Sequence, residues 1–330
     1  MSNAPTARVA IIALVVAAAP AFGQIRNGNF ALALPDHSGQ LRWSAPGFKP
    51  VQHSAKANGT EIGVRASDDS GRGFLAFLFS VKEPAPMTAE KCRDNVIVAE
   101  KKNNSKFKVT ATTDGVPAVF TYTSQGSGKT YYNVRAFLAN GDICGDLLLY
   151  SDKPLDADDA AVKKTLASYQ LDEAYAPKYI DAFLYAQVLY DSQQFGGAGP
   201  VYEIALQRLK ANPAEIAAGQ KPDAKTMIHV LTDQAGMSYG MSGSLPKARA
   251  IFEKAIAEDP DYPMYYYNLA CTDAEEKNLT GARQHLTEAY ARSANVNTGE
   301  NMPDPTKDDS FLPYRSNKEF WRFLESWRPR

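Results

Sequence analysis

Across residues 229–296, one arrangement of apolar residues appears twice at a spacing of 34 residues. Small and large side chains repeat together, pairing Ala248 with Ala282, Phe252 with Leu286, and Ala255 with Ala289. Apolar residues recurring every three or four positions are typical of amphipathic helices. A 34-residue period of this kind predicts helical hairpins stacked side by side.

A less regular copy precedes these two. Its register is kept by Ala186, Ala198, Tyr202 and Ala205. We therefore expect about three copies, at residues 179–212, 229–262 and 263–296, in a helical domain spanning residues 173–296. Gly196-Gly197 is the predicted turn of the first copy. Residues 213–228 break the spacing, and they either lengthen the preceding helix or form a loop.

Residues 297–330 predict a loop followed by a capping helix. Proline residues mark the loop across residues 303–314. Ser316 and Glu319 have the spacing of a capping box that opens a helix. The predicted helix carries one apolar stripe, formed by Phe320, Phe323, Leu324 and Trp327. A repeat array must close its apolar end, so we expect this helix to pack there.

The first half of the chain has the patterns of strands. Alternating or continuous apolar runs predict strands at residues 60–66, 73–81, 107–112, 116–123, 131–138 and 143–150. Residues 29–34 are either an edge strand or a loose arm. Helical patterns cover residues 87–101 and 156–170. Asp114-Gly115 and Asn140-Gly141 predict hairpin turns. The order predicts an α/β domain, residues 24–172, with a mostly antiparallel sheet and packed helices.

The first residues predict export. A short polar start is followed by an apolar run of eleven residues, Val9–Ala19, and then by small residues. This is typical of a signal peptide, here residues 1–23, cleaved after Gly23 or after Ala21. The run is too short to cross a bilayer, which takes about 20 residues. We expect an exported chain, periplasmic or extracellular, without stable membrane insertion after cleavage.

Three cysteines bear on that expectation. Disulfides persist in exported proteins. Cys92 and Cys144 lie in the same predicted domain, where they form either a disulfide or two buried thiols. Cys271 lies among apolar residues of the repeat, and we expect a buried, unreactive thiol there.

Composition and motifs do not indicate catalysis. A formal net charge of -1 provides no general attraction to nucleic acid. The four histidines, His37, His53, His229 and His285, lack metal-ligand spacing. Gly126–Thr130 resembles a phosphate loop, but position 123 is Thr and strand patterns flank it, so a hairpin loop is expected. We predict no catalytic residue, metal or cofactor, and rank an enzyme behind the binding functions below.

The repeat residues carry a family resemblance. The first strong copy supplies Gly236, Tyr239, Ala248, Phe252, Ala255 and Pro260, and the second supplies Tyr266, Leu269, Ala270, Ala282, Leu286 and Ala289. This pattern resembles the tetratricopeptide repeat (TPR). The chain departs from it at Thr232, Ala235, Asp273 and Ala294.

The resemblance implies a partner-binding inner face, built from the first helix of each copy. Its predicted contact residues are Phe183, Gln187, Tyr190, Asp233, Met237, Met241, Tyr267 and Glu275. Aromatic and methionine side chains suit apolar peptide or helix surfaces. The basic clamp for peptide C-terminal carboxylates is missing, because Phe183, Asp233 and Tyr267 stand where Lys is found. The alternative is that these residues pack within the array or against the first domain.

The first domain resembles the PsbP-like fold. The resemblance rests on the strands around Tyr132–Phe137 and Cys144–Tyr150 and on the helix ending at Ala167-Ser168-Tyr169, and it covers residues 45–172. It implies a binding or scaffold domain. We therefore expect an exported, non-enzymatic TPR protein that binds a protein or peptide, as a scaffold or adapter. The alternative is a module that holds a small apolar molecule or lipid in the first domain.

Overall fold

The computed structural model describes residues 28–82 and 86–328, which form two compact units dividing between Ser192 and Gln193. The first contains antiparallel sheets with helices, and the second is helical. The predicted coarse layout is therefore confirmed. The predicted signal peptide, residues 1–23, lies outside the described residues. The predicted boundary between residues 172 and 173 falls earlier in the chain than the division between the units.

Ten strands are found among the described residues of the first unit. They are β1 Asn29–Ala33, β2 Gln40–Ser44, β3 Lys49–Ala55, β4 Glu61–Ser67, β5 Gly73–Ser80, β6 Val109–Thr113, β7 Ala118–Gly126, β8 Lys129–Asn140, β9 Ile143–Ser151 and β10 Gln170–Asp172. Seven form one sheet in the order β3-β4-β5-β9-β8-β7-β6, and three form another in the order β1-β2-β10. Neighbouring strands are antiparallel in both sheets.

The two sheets share an aromatic core. Phe74 of β5 is fully buried. Its ring meets the edge of Phe30 at 4.8 Å and of Trp43 at 5.5 Å, measured between ring centroids. Phe30 and Trp43 face each other across β1 and β2, at paired positions. Burying three large rings is the main apolar contribution at this contact. Residues 29–34 thus include an edge strand, the first of the two alternatives.

The other face of the seven-stranded sheet carries helix α1, Ala89–Asn103. The Thr88 hydroxyl accepts the backbone N–H of Lys91 and caps the helix, as its position predicts. Below the helix, Cys92, Phe120, Phe137 and Cys144 are buried in one apolar cluster. Of the two alternatives for the cysteines, the structure has the disulfide between Cys92 and Cys144.

Two further helices belong to this unit. Helix α2, Ala160–Ser168, begins after Asp159, whose carboxylate accepts the N–H groups of Ala161 and Val162. It is shorter than predicted because residues 170–172 pair with β2 instead. Helix α3, Tyr179–Asp191, packs on β3 through the fully buried Tyr185, whose hydroxyl bonds the backbone oxygens of Lys56 and Glu61. Burial raises the pKa of Tyr185 to about 12, so the phenol stays protonated.

The second unit is built from helices. They are α4 Phe195–Ala211, α5 Ala224–Met241, α6 Leu245–Glu258, α7 Pro263–Glu275, α8 Leu279–Ala291 and α9 Lys318–Glu325. Two antiparallel pairs, α5–α6 and α7–α8, follow the predicted period: α7 ends, and α8 begins, 34 residues after the corresponding ends of α5 and α6. Ala248, Phe252 and Ala255 are buried in the first pair, and Ala282, Leu286 and Ala289 in the second.

Small residues bring the paired helices close together. A Cβ atom added to Gly236 of α5 would lie 2.2 Å from the Phe252 ring of α6, so this helix crossing needs glycine. The turns of the two pairs also correspond. Gly243 and Lys277, 34 residues apart, have φ angles of 79° and 64°. Lys277 therefore adopts a left-handed conformation that lysine seldom takes.

Three predictions about this unit are corrected. Gly196-Gly197 is not a turn, because both residues lie inside α4. Residues 213–228 do not lengthen α4. They form a single 3₁₀ turn, Pro213–Glu215, then a loop, and α5 starts at Ala224. The cap of α9 is Asn317, not Ser316, because the Asn317 side chain accepts the N–H of Phe320. None of the described helices is both long and apolar enough to cross a membrane.

Candidate functional site

One stripe of α7 contacts the chain's own C-terminal segment. Tyr267, Cys271, Ala274 and Glu275 lie three to eight residues apart, on the same side of the helix. These positions belong to the inner face predicted from the sequence. Residues 297–314, which we call the C-terminal strap, lie along this stripe. The Tyr267 hydroxyl donates to Asp308 at 3.0 Å, and the Tyr314 hydroxyl donates to the Ala274 carbonyl at 2.6 Å.

The strap has little regular structure. Its described backbone is irregular apart from two single 3₁₀ turns, Pro305–Lys307 and Leu312–Tyr314. Acidic side chains stabilise it locally. Asp304 accepts hydrogen bonds from the N–H and hydroxyl of Thr306, and Asp308 accepts one from the N–H of Ser310. The strap is thus an extended segment with turns of its own, docked on a helix.

Its first attachment is a buried polar group, the Tyr262 cluster, formed by Asp233, Tyr262, Asn297 and Glu300. The Tyr262 hydroxyl lies 2.9 and 3.0 Å from the two Glu300 oxygens and 3.1 Å from Asp233 Oδ2. Asn297 donates to the same hydroxyl at 3.1 Å, and its backbone N–H donates to Glu300 at 2.9 Å. All four side chains are buried.

A single hydroxyl proton decides the charge of this cluster. Tyr262 can donate to one carboxyl group only, yet both Asp233 and Glu300 lie within hydrogen-bond distance. Burial, and then the charge of Glu300, raise the pKa of Asp233 well above its ordinary value. Asp233 is therefore protonated and donates to Tyr262, which donates to Glu300. Asn268 completes the arrangement by donating to the other Asp233 oxygen at 2.9 Å.

His229 joins the cluster to a charged surface. Its ring stacks on Tyr262 with 3.9 Å between ring centroids. Nδ1 lies 2.9 Å from Asn297 Oδ1, and Nε2 lies 3.0 Å from Asp259 Oδ2. Burial alone would raise the pKa of Asp259, but hydrogen bonds from His229 and Lys225 outweigh burial and lower it. A cleft of about 320 Å³ adjoins this group, between α4, α5 and α6.

The second attachment is the contact of Asp308 with Tyr267 and Cys271. The Cys271 sulfur lies 3.8 Å from Asp308 Oδ2. Burial raises the pKa of Asp308 and, with Asp308 nearby, raises that of the Cys271 thiol well above its ordinary value. Cys271 is therefore a protonated, unreactive thiol. Glu275 continues the stripe with a hydrogen bond to the side chain of Ser310.

Apolar contacts complete the docking. Phe311 is fully buried, and its ring centroid lies 6.2 Å from those of both Tyr267 and Phe320. The Tyr290 hydroxyl donates to the Pro303 carbonyl at 2.6 Å. Phe320 and Leu324 of α9 are buried in the same core as α7 and α8, where the capping helix was expected.

The predicted contact residues lie in different surroundings. Tyr267 and Glu275 touch the strap, and Asp233 belongs to the Tyr262 cluster. Met237 and Met241 of α5 are half-buried. Phe183 and Tyr190 of α3 are buried, and Gln187 donates to Asp191. For Asp233 and Tyr267, the alternative of packing within the array describes what is found. A partner at these positions stays a prediction.

Sequence reasoning missed the strap and the Tyr262 cluster. Tyr262, Asn297, Glu300 and Asp308 were not singled out, and His229 was assigned only to packing or the surface. A usable signal was present in Asp233, since an acid at an inner-face position needs a polar partner when it is buried. The sequence did not indicate which residues would supply that partner.

The first unit has a cleft of about 780 Å³. It lies beside β7, β8 and α2, and its apolar lining includes Val116, Val119, Leu138, Leu166 and Leu171. Metal ligands are a separate question. Throughout residues 28–82 and 86–328, no three His, Cys, Asp or Glu side chains are arranged to hold a metal ion.

Comparison with protein-family models and with curated proteins finds no match. Among solved structures, the chain is similar to a crystal structure of a protein from Bacteroides thetaiotaomicron. That chain is 11% identical, with 64% of this chain and 78% of that chain covered, at a TM-score of 0.31. A likeness of this size carries no argument about fold or function.

Proposed function

We propose that this chain is an exported, non-enzymatic TPR protein that binds an extended segment of a protein partner along the inner face of its helical unit. It would act as a scaffold or adapter in the periplasm or cell envelope. In this proposal, the first unit is a PsbP-like domain that helps to present the array. The signal-like start of the sequence supports export.

The observation that carries the proposal is the docking of the C-terminal strap. The strap is an extended segment, and it lies on the α7 stripe that the repeat pattern assigns to partner binding. A surface that packs against one such segment has the shape and the hydrogen-bonding groups to receive others. The strap is therefore an intramolecular example of the proposed ligand class.

The helix pairs support the TPR class. Their elements keep a 34-residue spacing, and their turns place a left-handed residue at the same position. Small residues face large ones across each pair, which allows close helix packing. These are the features expected of a repeat array with a continuous inner face.

The α5 part of the inner face is the surface proposed for a partner. Met237 and Met241 stand one period before Cys271 and Glu275 and are half-buried. Methionine side chains adapt to varied apolar surfaces, as partner binding requires. Met237 is therefore the residue to test.

Affinity capture with the full mature chain tests the proposal. We expect Met237→Glu to reduce recovery of the partner by at least about tenfold, because it places a charge in an apolar contact. The matched control is Val98→Glu, at a residue of α1 that is 67% exposed. Equal recovery with both variants and the wild type would show that the inner face is not the binding surface.

A second candidate function is favoured by the cleft of the first unit. Its volume of about 780 Å³ and its apolar lining suit a small apolar molecule or a lipid chain. A bound ligand would raise the melting temperature of the full chain by mass action. Leu166→Glu should remove that shift, and a panel of lipids and metabolites without any shift would count against this candidate.

A further inference from the structure

We infer that the inner-face site on α7 recognises carboxyl side chains of an extended peptide, and that the C-terminal strap is its built-in competitor. This inference rests on the proposed function and names the chemistry of the partner. The partner would be an acidic, extended segment that displaces the strap.

The first step in the argument is that both polar attachments use the same chemistry. Glu300 is bound by the Tyr262 hydroxyl, and Asp308 by the Tyr267 hydroxyl. The two tyrosines stand at the start and in the first half of α7, and the two acids are eight residues apart in the strap. Two tyrosine hydroxyls along one helix thus form a pair of carboxyl-binding points.

These points select acids without a basic clamp. The donors to Glu300 are the Tyr262 hydroxyl and the backbone N–H of Asn297. The donors to Asp308 are the Tyr267 hydroxyl and the backbone N–H of Ser310. Hydrogen bonds to a charged acceptor in a buried site are about twice as strong as neutral ones. An amide at either position would accept a weaker bond.

The strap is better suited to displacement than the capping helix after it. Thr298, Gly299, Asn301 and Lys307 are exposed, and the strap forms its own turns at Asp304 and Asp308. By contrast, Phe320 and Leu324 fix α9 in the core. The strap can leave the stripe as a loop between α8 and α9, while the cap of the array stays in place.

The test uses a fluorescent peptide of residues 296–311 and the full chain. Binding is followed by anisotropy to the wild type and to the strap variant Glu300→Ala/Asp308→Ala. Removing both carboxyl groups weakens the competitor, so we expect the peptide to bind the variant at least about tenfold more tightly than the wild type. Equal affinities would overturn the inference.

A second peptide tests the carboxyl requirement. In it, the residues matching Glu300 and Asp308 are replaced by Gln and Asn, which keep their size. We expect at least about tenfold weaker binding to the strap variant. Equal binding of the two peptides would show that the site does not recognise carboxyl groups.

Two controls keep the result interpretable. If the double variant fails to fold by circular dichroism, the single variant Glu300→Ala replaces it, because Asp308 then still holds the strap at its second attachment. The exposed acid in Glu319→Gln lies outside the strap and should leave peptide binding as in the wild type. Partner capture that depends on Met237 but ignores the acidic peptide would overturn this inference and leave the proposed function standing.

Discussion

A buried carboxyl group is satisfied differently in each of the two units. In the first unit, Asp146 is 2% exposed and receives two hydrogen bonds from Arg135, at 2.9 and 2.7 Å. In the helical unit, Asp233 and Glu300 share the hydroxyl of Tyr262. One carboxyl meets a permanent cation, and the others meet neutral donors and a shared proton.

The difference bears on what each site can do. Burial alone would lower the pKa of Arg135, but the carboxylate of Asp146 outweighs burial and raises it, so this pair keeps its charges. It joins β8 to β9 and, through Glu100, to α1. The Tyr262 cluster instead depends on protons and on a segment that another acid could replace. We interpret the first as fixed structure and the second as an exchangeable attachment.

The largest expected effect is in the first unit. Arg135→Met leaves the Asp146 carboxylate buried without its cation, which should lower the free energy of unfolding by about 3–5 kcal/mol. Urea denaturation measures this loss. The control Arg65→Met removes an exposed arginine of β4 and should cost less than about 1 kcal/mol. A similar, small loss in both variants would show that Asp146 does not depend on Arg135.

A smaller effect is expected from Tyr262→Phe. It removes the hydroxyl that serves Asp233, Asn297 and Glu300, so the free energy of unfolding should fall by about 2 kcal/mol. Tyr266→Phe is the matched control, because that hydroxyl bonds only the Pro260 carbonyl among the contacts found. Its cost should be about 0.5–1 kcal/mol. Equal losses would mean that the cluster does not hold the strap through Tyr262.

The pH dependence of Asp233 gives the smallest effect and the sharpest distinction. Its pKa is raised in the folded state, so the folded chain binds a proton that the unfolded chain releases above about pH 4. The stability of the wild type should therefore fall as pH rises through the folded-state value. Asp233→Asn keeps the hydrogen bonds of the neutral acid and removes this loss.

We expect Asp233→Asn to match the wild type at pH 4 and to be more stable by at least about 1 kcal/mol at pH 8. Asp146→Asn should act in the opposite direction at pH 8, because it removes the charge that Arg135 pairs with. Thermal or urea denaturation at both pH values checks the two variants. A destabilised Asp233→Asn at pH 8 would mean that Asp233 is ionised in the fold.

The comparison also shows where sequence reasoning succeeds. The apolar run of residues 73–81 predicted β5, and the paired positions of Phe252 and Leu286 predicted the helix pairs. In both cases a single periodic pattern carries the information. β3 was missed because most of its residues are exposed and it contains Pro50, so no alternation marks it. β10 was assigned to a helix because its partner, β2, lies far away in the sequence.

The candidate site shows a stronger limit. Asp233, Tyr267 and Glu275 were predicted as partner contacts from their repeat positions. Their contacts with Glu300 through Tyr262, and with Asp308 and Ser310, were not predicted. The cluster joins residues from α5, the start of α7 and the strap, and its polar members follow no period. Only the packing of the helices brings them together.

The most direct test of the strap's role is the rate at which a thiol reagent modifies Cys271. Cys92 and Cys144 form a disulfide, so Cys271 is the free thiol of the three cysteines. It lies against Asp308 of the strap. We predict slow modification in the wild type and at least about tenfold faster modification in Glu300→Ala, where the strap has lost one attachment. Equal rates in the two proteins would contradict the account.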